Sequence, residues 1–399
     1  MMRKGLILCA VAAFVAAGCG KAPLAKGNWE KLNRERLNEI IIGNGSSSDS
    51  YSPQQRPYAV FDFDNTTIIG DIAVATMVYQ LENLRMRMSP EEIWTALTDL
   101  FPNIDAPVEG RPGVSVRMLA TDIANDYAFL YEKYISGAEM KLEEIRKTPE
   151  FLDFRAKTYA LSAASDALGY ETGCLWIIRL HNGMTTDEVR ALAADAAESE
   201  FARKRIFREV WESPDMGEAG RVKVEVMRGL GLSDEMRNLY KALKNNGIDT
   251  YICSASMKEI VEAVACDPKY GLDVPAENVF GIMLKGGGII RAAYDPNWEP
   301  TFKEGKVKCI RQNILRKHGG AEPLIVAGDS NGDYNMLTEF RNLKAGLIID
   351  CGGSGAIAEL SQQALATKEE EVSGTRYLLQ GRDLAKKKFI KKNISKNKL

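Results

Sequence analysis

Two short apolar runs, each ending in paired aspartates, constrain this chain most. Tyr58-Ala59-Val60-Phe61 leads into Asp62-Phe63-Asp64-Asn65-Thr66, and Leu324-Ile325-Val326-Ala327 leads into Asp329-Ser330-Asn331-Gly332-Asp333. Runs of that length, closed by a polar or glycine break, predict buried parallel strands. In an open α/β sheet the ligand sits at the carboxyl ends of the strands. Two strands ending this way aim four carboxylates into one crevice, which is the donor set a hard divalent cation needs.

The pattern between and after these runs fills in the fold. From about Asp71 to Leu232 the periodicity is helical. Tyr127, Tyr131 and Tyr134 share one helix face, while Ser89-Pro90-Glu91 and Thr185-Thr186-Asp187 are helix starts. From Ser233 onward strand and helix alternate. Glu235–Asn245 reads as a helix, Asp249–Cys253 as a strand, Met257–Cys266 as a helix, Lys303–Lys317 as a helix, Leu324–Ala327 as a strand and Ala345–Ile349 as the last strand. This succession predicts a doubly wound parallel sheet with a large helical insertion after its first strand. The expected division is a signal segment at 1–18, a polar linker at 19–56, core at 57–75, a helical cap at 76–232, core again at 233–370 and a basic tail at 371–399. Gly286-Gly287-Gly288 reads as a turn.

Composition narrows the class. With 399 residues, 45% of them hydrophobic, the chain has enough apolar content for a substantial core. A net charge of −2 offers no basic domain face of the kind nucleic-acid binding uses. Lys386 to Leu399 nonetheless holds seven lysines and no acid, which reads as a solvated mobile tail. At the other end, Met1-Met2-Arg3-Lys4 followed by the apolar Gly5 to Ala17 reads as a secretory signal, too short to span a membrane. Ala16-Ala17-Gly18-Cys19 resembles the lipobox of bacterial lipoproteins, so export and a lipid anchor at Cys19 are expected. Linker composition at Gly43-Asn44-Gly45-Ser46-Ser47-Ser48 would then let the folded body stand off the membrane. Beyond Cys9 and Cys19, five cysteines remain (Cys174, Cys253, Cys266, Cys309 and Cys351), an odd number read as structural thiols.

In chain order, Asp62-x-Asp64-x-Thr66, Ser254 behind a strand, Lys306 on a helix and Asp329-x-x-x-Asp333 resemble the four motifs of the haloacid dehalogenase superfamily. The resemblance covers about 57–75 and 233–350, and it implies a Rossmann-like core with a C1 cap. Phosphate monoesters resist hydrolysis, so a site must supply a nucleophile, a proton for the leaving oxygen and charge compensation. Asp62 is the candidate nucleophile and Asp64 the acid and base. Asp329 is expected to hold Mg²⁺ with Asp62 and, by the resemblance, with the backbone carbonyl of Asp64, while Asp333 orients the set. Thr66, Ser254 and Lys306 are candidates to bind the phosphate. The alternative role for Ser254 is to cap the following helix, where Ser256 competes with it, and Lys303 and Lys308 compete with Lys306. Superfamily dehalogenases lack an acid at the Asp64 position, so phosphoryl transfer is implied, with water the expected acceptor.

The core motifs look most like the phosphoserine phosphatase branch. Val60-Phe61-Asp62, Ser254-Ala255-Ser256 and the export signal are also similar to bacterial phosphorylcholine phosphatases, although the cap is longer. A cationic leaving group could meet an aromatic cage drawn from Trp94, Tyr127, Tyr131, Tyr134, Trp176 and Trp211, or an acid such as Glu82 or Asp71. A phosphotransferase or mutase, or a cell-surface binding protein without turnover, are the rival functions.

Overall fold

The computed structural model describes residues 23–137, 139–283, 300–366 and 374–399. The expected signal segment, Cys19 and the Gly286 turn lie outside these residues. Ten strands are described: β1 (Tyr58–Phe61), β2 (Phe207–Glu212), β3 (Lys223–Arg228), β4 (Asp249–Met257), β5 (Val279–Ile282), β6 (Ile325–Gly328), β7 (Ala345–Ile349), β8 (Tyr377–Gln380), β9 (Arg382–Asp383) and β10 (Lys388–Phe389).

Six of them form one parallel sheet in the order β5-β4-β1-β6-β7-β8. β1 is therefore central, and the strand order reverses between β1 and β6. That switch point is where an open α/β sheet leaves a crevice. In register, Phe61 lies opposite Ile252 of β4 and Ala327 of β6, so the residues after β1 and β6 emerge side by side. Alternation along β1 sends Ala59 and Phe61 into the apolar layer on one face and Tyr58 and Val60 into the layer on the other.

Helices Ile72–Asn83, Pro90–Thr98, Val116–Leu130, Pro149–Ala167 and Tyr170–Arg179 follow β1. They bury a separate cluster that includes Leu81, Leu97, Leu119, Phe154 and Trp176. The insertion is not wholly helical, since β2 and β3 pair as an antiparallel hairpin and Trp211 and Val226 enter the same cluster. Its last helix, Thr186–Ala202, packs Val189, Leu192 and Ala193 into the cluster under the sheet instead.

Both ends differ from expectation. Within the supposed linker, Lys31–Asn44 is a helix whose Leu37, Ile40 and Ile41 are buried, and Asn33 Nδ2 donates to the β8 carbonyl of Leu379 at 2.7 Å. The supposed tail supplies β8, the edge of the sheet, and then a short β9–β10 hairpin. Phe389 is buried with its ring 5.4 Å from that of Trp29, and Lys387 Nζ donates to the carbonyls of Phe201 (2.8 Å) and Arg203 (2.6 Å). Lysine stems along apolar surface and capped helix carbonyls account for a charged stretch that is nevertheless folded. Among the described residues no helix is long and apolar enough to cross a membrane, and the five cysteines are free thiols.

Candidate active site

Asp62 leaves β1 with its N–H still on Ala327 of β6, at 2.9 Å. Its carboxylate is buried, 6% exposed, and both oxygens are engaged. Oδ1 accepts from Lys306 Nζ at 2.6 Å and Oδ2 from the Thr66 hydroxyl at 3.0 Å. The chain then turns sharply through Phe63–Thr67, with Asn65 left-handed at φ 58°. Thr67 ties the turn down, its hydroxyl 2.7 Å from the Asp62 carbonyl and 2.9 Å from Tyr240 Oη. As a result Asp64 faces away from Lys306, accepting from the Ile72 N–H (2.7 Å) and the Ser256 hydroxyl (2.5 Å).

β6 delivers the second acid pair. Asp329 lies beside the same Thr66 hydroxyl at 3.2 Å, and carboxylate oxygens of Asp62, Asp329 and Asp333 lie within 4.8 Å of one another. Asp333 is already saturated. Its Oδ1 accepts from Lys306 Nζ at 2.6 Å, and its Oδ2 accepts the Asp329 and Ser330 N–H groups (3.0 and 3.1 Å) and the Ser330 hydroxyl (3.2 Å). Gly328 is required by this packing, because a Cβ there would stand 2.4 Å from that of Asp333. Lys306, 2% exposed, thus bridges Asp62 and Asp333, whereas Lys303 and Lys308 are exposed and Lys303 pairs with Glu171.

Electrostatics follow from three crowded carboxylates, two of which share one ammonium. Burial, then Asp333, push Asp62 up to about 6 against the pull of Lys306. Burial also drives Asp329 well above the usual carboxylate range, with Asp333 and Asp62 adding to it. For Asp64 burial dominates and Asp71 contributes, so this carboxyl retains its proton far above the ordinary range. Burial would discharge Lys306, but Asp333 and Asp62 outweigh it and hold the lysine protonated. Carboxylates uncompensated in this way suit a hard divalent cation, with Asp62 and Asp329 as ligands and Asp333 already committed.

Of the two serines, Ser256 and not Ser254 is the one that meets the first acidic motif. Ser254 is fully buried; its hydroxyl accepts the Ser256 N–H at 3.1 Å and its carbonyl accepts the Thr301 hydroxyl. Ser256 is the residue that reaches Asp64, and neither serine caps the following helix, which Met257 precedes. β4 continues past the turn expected at Ser254, and that extension carries Ser256 forward.

Beside Ser256 opens a cavity of about 270 Å³ whose walls include Asp71, Val74, Asp166, Tyr170 and Cys174. Tyr170 is 50% exposed and also faces the Asp329 loop, since a methyl on Gly332 would lie 3.5 Å from its ring. Burial and the nearby Asp71 raise Asp166 to about 6. None of the six candidate cage aromatics lines this cavity. Tyr127 and Trp176 are buried with their polar atoms on Met88 and Leu97 carbonyls, Trp211 is buried, and Trp94, Tyr131 and Tyr134 pack against the same cap cluster. Glu82 is committed to Arg228 at 2.9 Å. Tyr170 and Asp166 gave no periodic signal, because they flank the break at Gly169 between two helices.

A Rossmann-like sheet with acids at its switch point, a buried lysine between two of them and a largely helical insertion after the first strand frame the site, and the chain carries a haloacid dehalogenase-like hydrolase domain. That family's profile matches residues 150–338. A conserved, functionally unknown protein from Anaerococcus prevotii DSM 20548 superposes with a TM-score of 0.84 at 32% identity, covering 94% of this chain and 99% of that one. Phosphorylcholine phosphatase from Pseudomonas aeruginosa is 35% identical over 126 residues, which is 25% of this chain and 35% of that protein. The chain thus matches about a third of the length of that curated relative.

Proposed function

We propose that this protein is a Mg²⁺-dependent phosphomonoesterase acting through an Asp62 phospho-enzyme. The observation that carries this is the division of labour within one turn: Asp62 points at Lys306 and Asp329, while Asp64, two residues on, points the other way and keeps its proton. Asp62, Asp329 and the Asp64 carbonyl would hold the metal, whose charge offsets that of the phosphate and the carboxylates. Lys306 and Thr66 then fix Asp62 for attack on phosphorus. One Asp62 oxygen bonds to phosphorus as the ester oxygen departs, and Asp64 gives that oxygen its proton. In the second half Asp64 takes a proton from water, which attacks the aspartyl-phosphate and frees Asp62.

The cavity beside Ser256 would take the leaving group. Two acids and a tyrosine face there suit a small cationic alcohol, and the partial likeness to a phosphorylcholine phosphatase supports phosphorylcholine as the first ester to try. We propose further that the protein is exported and lipid-anchored through Cys19, as the Met1 to Cys19 pattern implies; mass analysis of the mature N-terminus tests that separately.

Phosphate release from phosphorylcholine, phosphoserine, phosphoethanolamine and p-nitrophenyl phosphate, with and without Mg²⁺, is the decisive assay. Magnesium-dependent release that disappears in Asp62→Asn supports the proposal. Release without metal, or preferential transfer of phosphate to an added alcohol, would replace it with a different hydrolase or a phosphotransferase.

A further inference from the structure

The turn that carries both catalytic acids hinges on Asn65, a non-glycine residue in the left-handed region at φ 58°. Such a conformation persists only where the surroundings over-determine it. One restraint is local, the Asn65 N–H to the Gly70 carbonyl at 2.9 Å. The other comes from the far end of the chain. Arg382 Nη1 lies 3.1 Å from both the Asn65 carbonyl and Asn65 Oδ1, across 317 residues of sequence.

Arg382 is itself held rigidly. It is 4% exposed, its N–H donates to Ser395 Oγ at 2.8 Å and its carbonyl accepts the Lys396 N–H at 2.7 Å. Ser395 in turn is fastened to Asp350, just beyond β7, through its N–H (2.6 Å) and hydroxyl (2.5 Å). The guanidinium is thus referenced to the sheet and applied to the one residue that separates Asp64 from Thr66. Arg382 Nε has no hydrogen-bond partner among the described residues, so the side chain is not explained as a well-satisfied core group.

We infer that Arg382 is a positioning residue, a clamp from the C-terminal segment that fixes the Asn65 turn and thereby the opposed directions of Asp62 and Asp64. Both hydrogen bonds leave the single Nη1, so the role needs one cationic donor at that point, which a lysine, with a shorter reach and no planar guanidinium, supplies only in part.

The kinetic arm of the test rests on the phosphatase proposal; the exchange arm does not. In Arg382→Met, kcat should fall about 100-fold while KM stays within about threefold, because misplaced reacting groups cost turnover rather than ground-state binding. Arg382→Lys should recover part of that loss. Lys387→Met, on the same segment but bonded to the cap carbonyls, should lower the melting temperature and leave kcat unchanged. Hydrogen exchange at the amides of Asn65 and Ile68 should quicken about tenfold in Arg382→Met and not in Lys387→Met, whatever ester the enzyme cleaves. If Arg382→Met does not fold, Asn65→Gly, which permits the left-handed turn and, of the two Arg382 bonds, removes the one to Oδ1, should still cost kcat without lowering the melting temperature. Unchanged exchange in the arginine variant overturns the inference. So does a rise in KM with kcat retained, which would make Arg382 a substrate contact, or parallel losses of activity and stability in the Arg382 and Lys387 variants. A wild-type protein that releases no phosphate sinks the phosphatase proposal and leaves the exchange result to decide this one.

Discussion

Among the described residues lie two sets of three aspartates and one lysine, one at the crevice and one in the cap. At the sheet, Asp62 and Asp333 hold Lys306 and Asp329 stands beside those two carboxylates. In the cap, Asp122, Asp126 and Asp153 surround Lys157, whose Nζ lies 2.7 Å from Asp122, 2.7 Å from Asp153 and 2.8 Å from the Met216 carbonyl. The cap set is closed. Asp122 spends its oxygens on the Glu218 and Ala219 N–H groups at 2.7 and 2.9 Å, and Gly217, at φ 69°, sits where a Cβ would strike that carboxylate. Its surplus negative charge is removed by protonation: burial and Asp153 push Asp126 up to about 9. At the sheet, Asp329 is only partly buried and retains acceptor capacity toward the crevice. What would make the sheet cluster reactive and the cap cluster structural is therefore access, since the cap acids are sealed from solvent while Asp329 faces the crevice, and not how many acids are gathered.

That contrast can be broken most sharply at Asp62. Asp62→Asn should reduce turnover by about 10³-fold or more while leaving the melting temperature unchanged or raised, since it removes one of three crowded charges. Loss of folding instead would show that the sheet cluster is as structural as the cap's. Lys157→Met should behave in reverse. Stranding buried carboxylates should cost about 3–5 kcal/mol in urea titrations, with kcat retained in whatever fraction remains folded.

The closed cluster also makes a signed prediction about pH. Asp126 keeps its proton in the folded state to about 9, against 3.8 for an unperturbed aspartate. Between those limits the unfolded chain binds fewer protons than the folded one. The contribution to stability is thus complete at the acid end and is lost as pH rises through about 9. Urea midpoints should fall across that window in the wild type and flatten in Asp126→Asn; identical slopes would place the surplus charge elsewhere. Smallest is Gly328→Ala. Its methyl must displace the buried Asp333, so activity should drop about tenfold through Lys306 and the fold should lose about 1–3 kcal/mol. An unaffected Gly328→Ala enzyme would mean that Asp333 does not govern the lysine.

How much of this was legible depended on whether the signal was local. Asp62, Asp64, Asp329 and Asp333 stand directly behind apolar runs, and strand ends translate such spacing into convergence, so the crevice could be read from sequence. Ser256 was harder, because its distinction from Ser254 lies in how far β4 continues. Arg382 and Tyr170 left no trace, since each acts across the fold rather than along a helix or strand. At the ends, composition misled in a specific way. Gly43 to Ser48 and the seven lysines dominate the composition, whereas Leu37, Ile40, Ile41, Leu378 and Phe389, in apolar stretches of at most three residues between polar ones, decide the packing.

The central place of β1 bears on how the protein comes to life. Its two neighbours in the sheet are synthesised long after it, and the contacts completing the crevice span 244 residues from Asp62 to Lys306 and 317 from Asn65 to Arg382. Local helices of the cap, with their own apolar cluster, can form early, but closing loops of that length is slow. On dilution from denaturant, helical signal should therefore return before enzymatic activity, and the lag between them would time the arrival of the last strand.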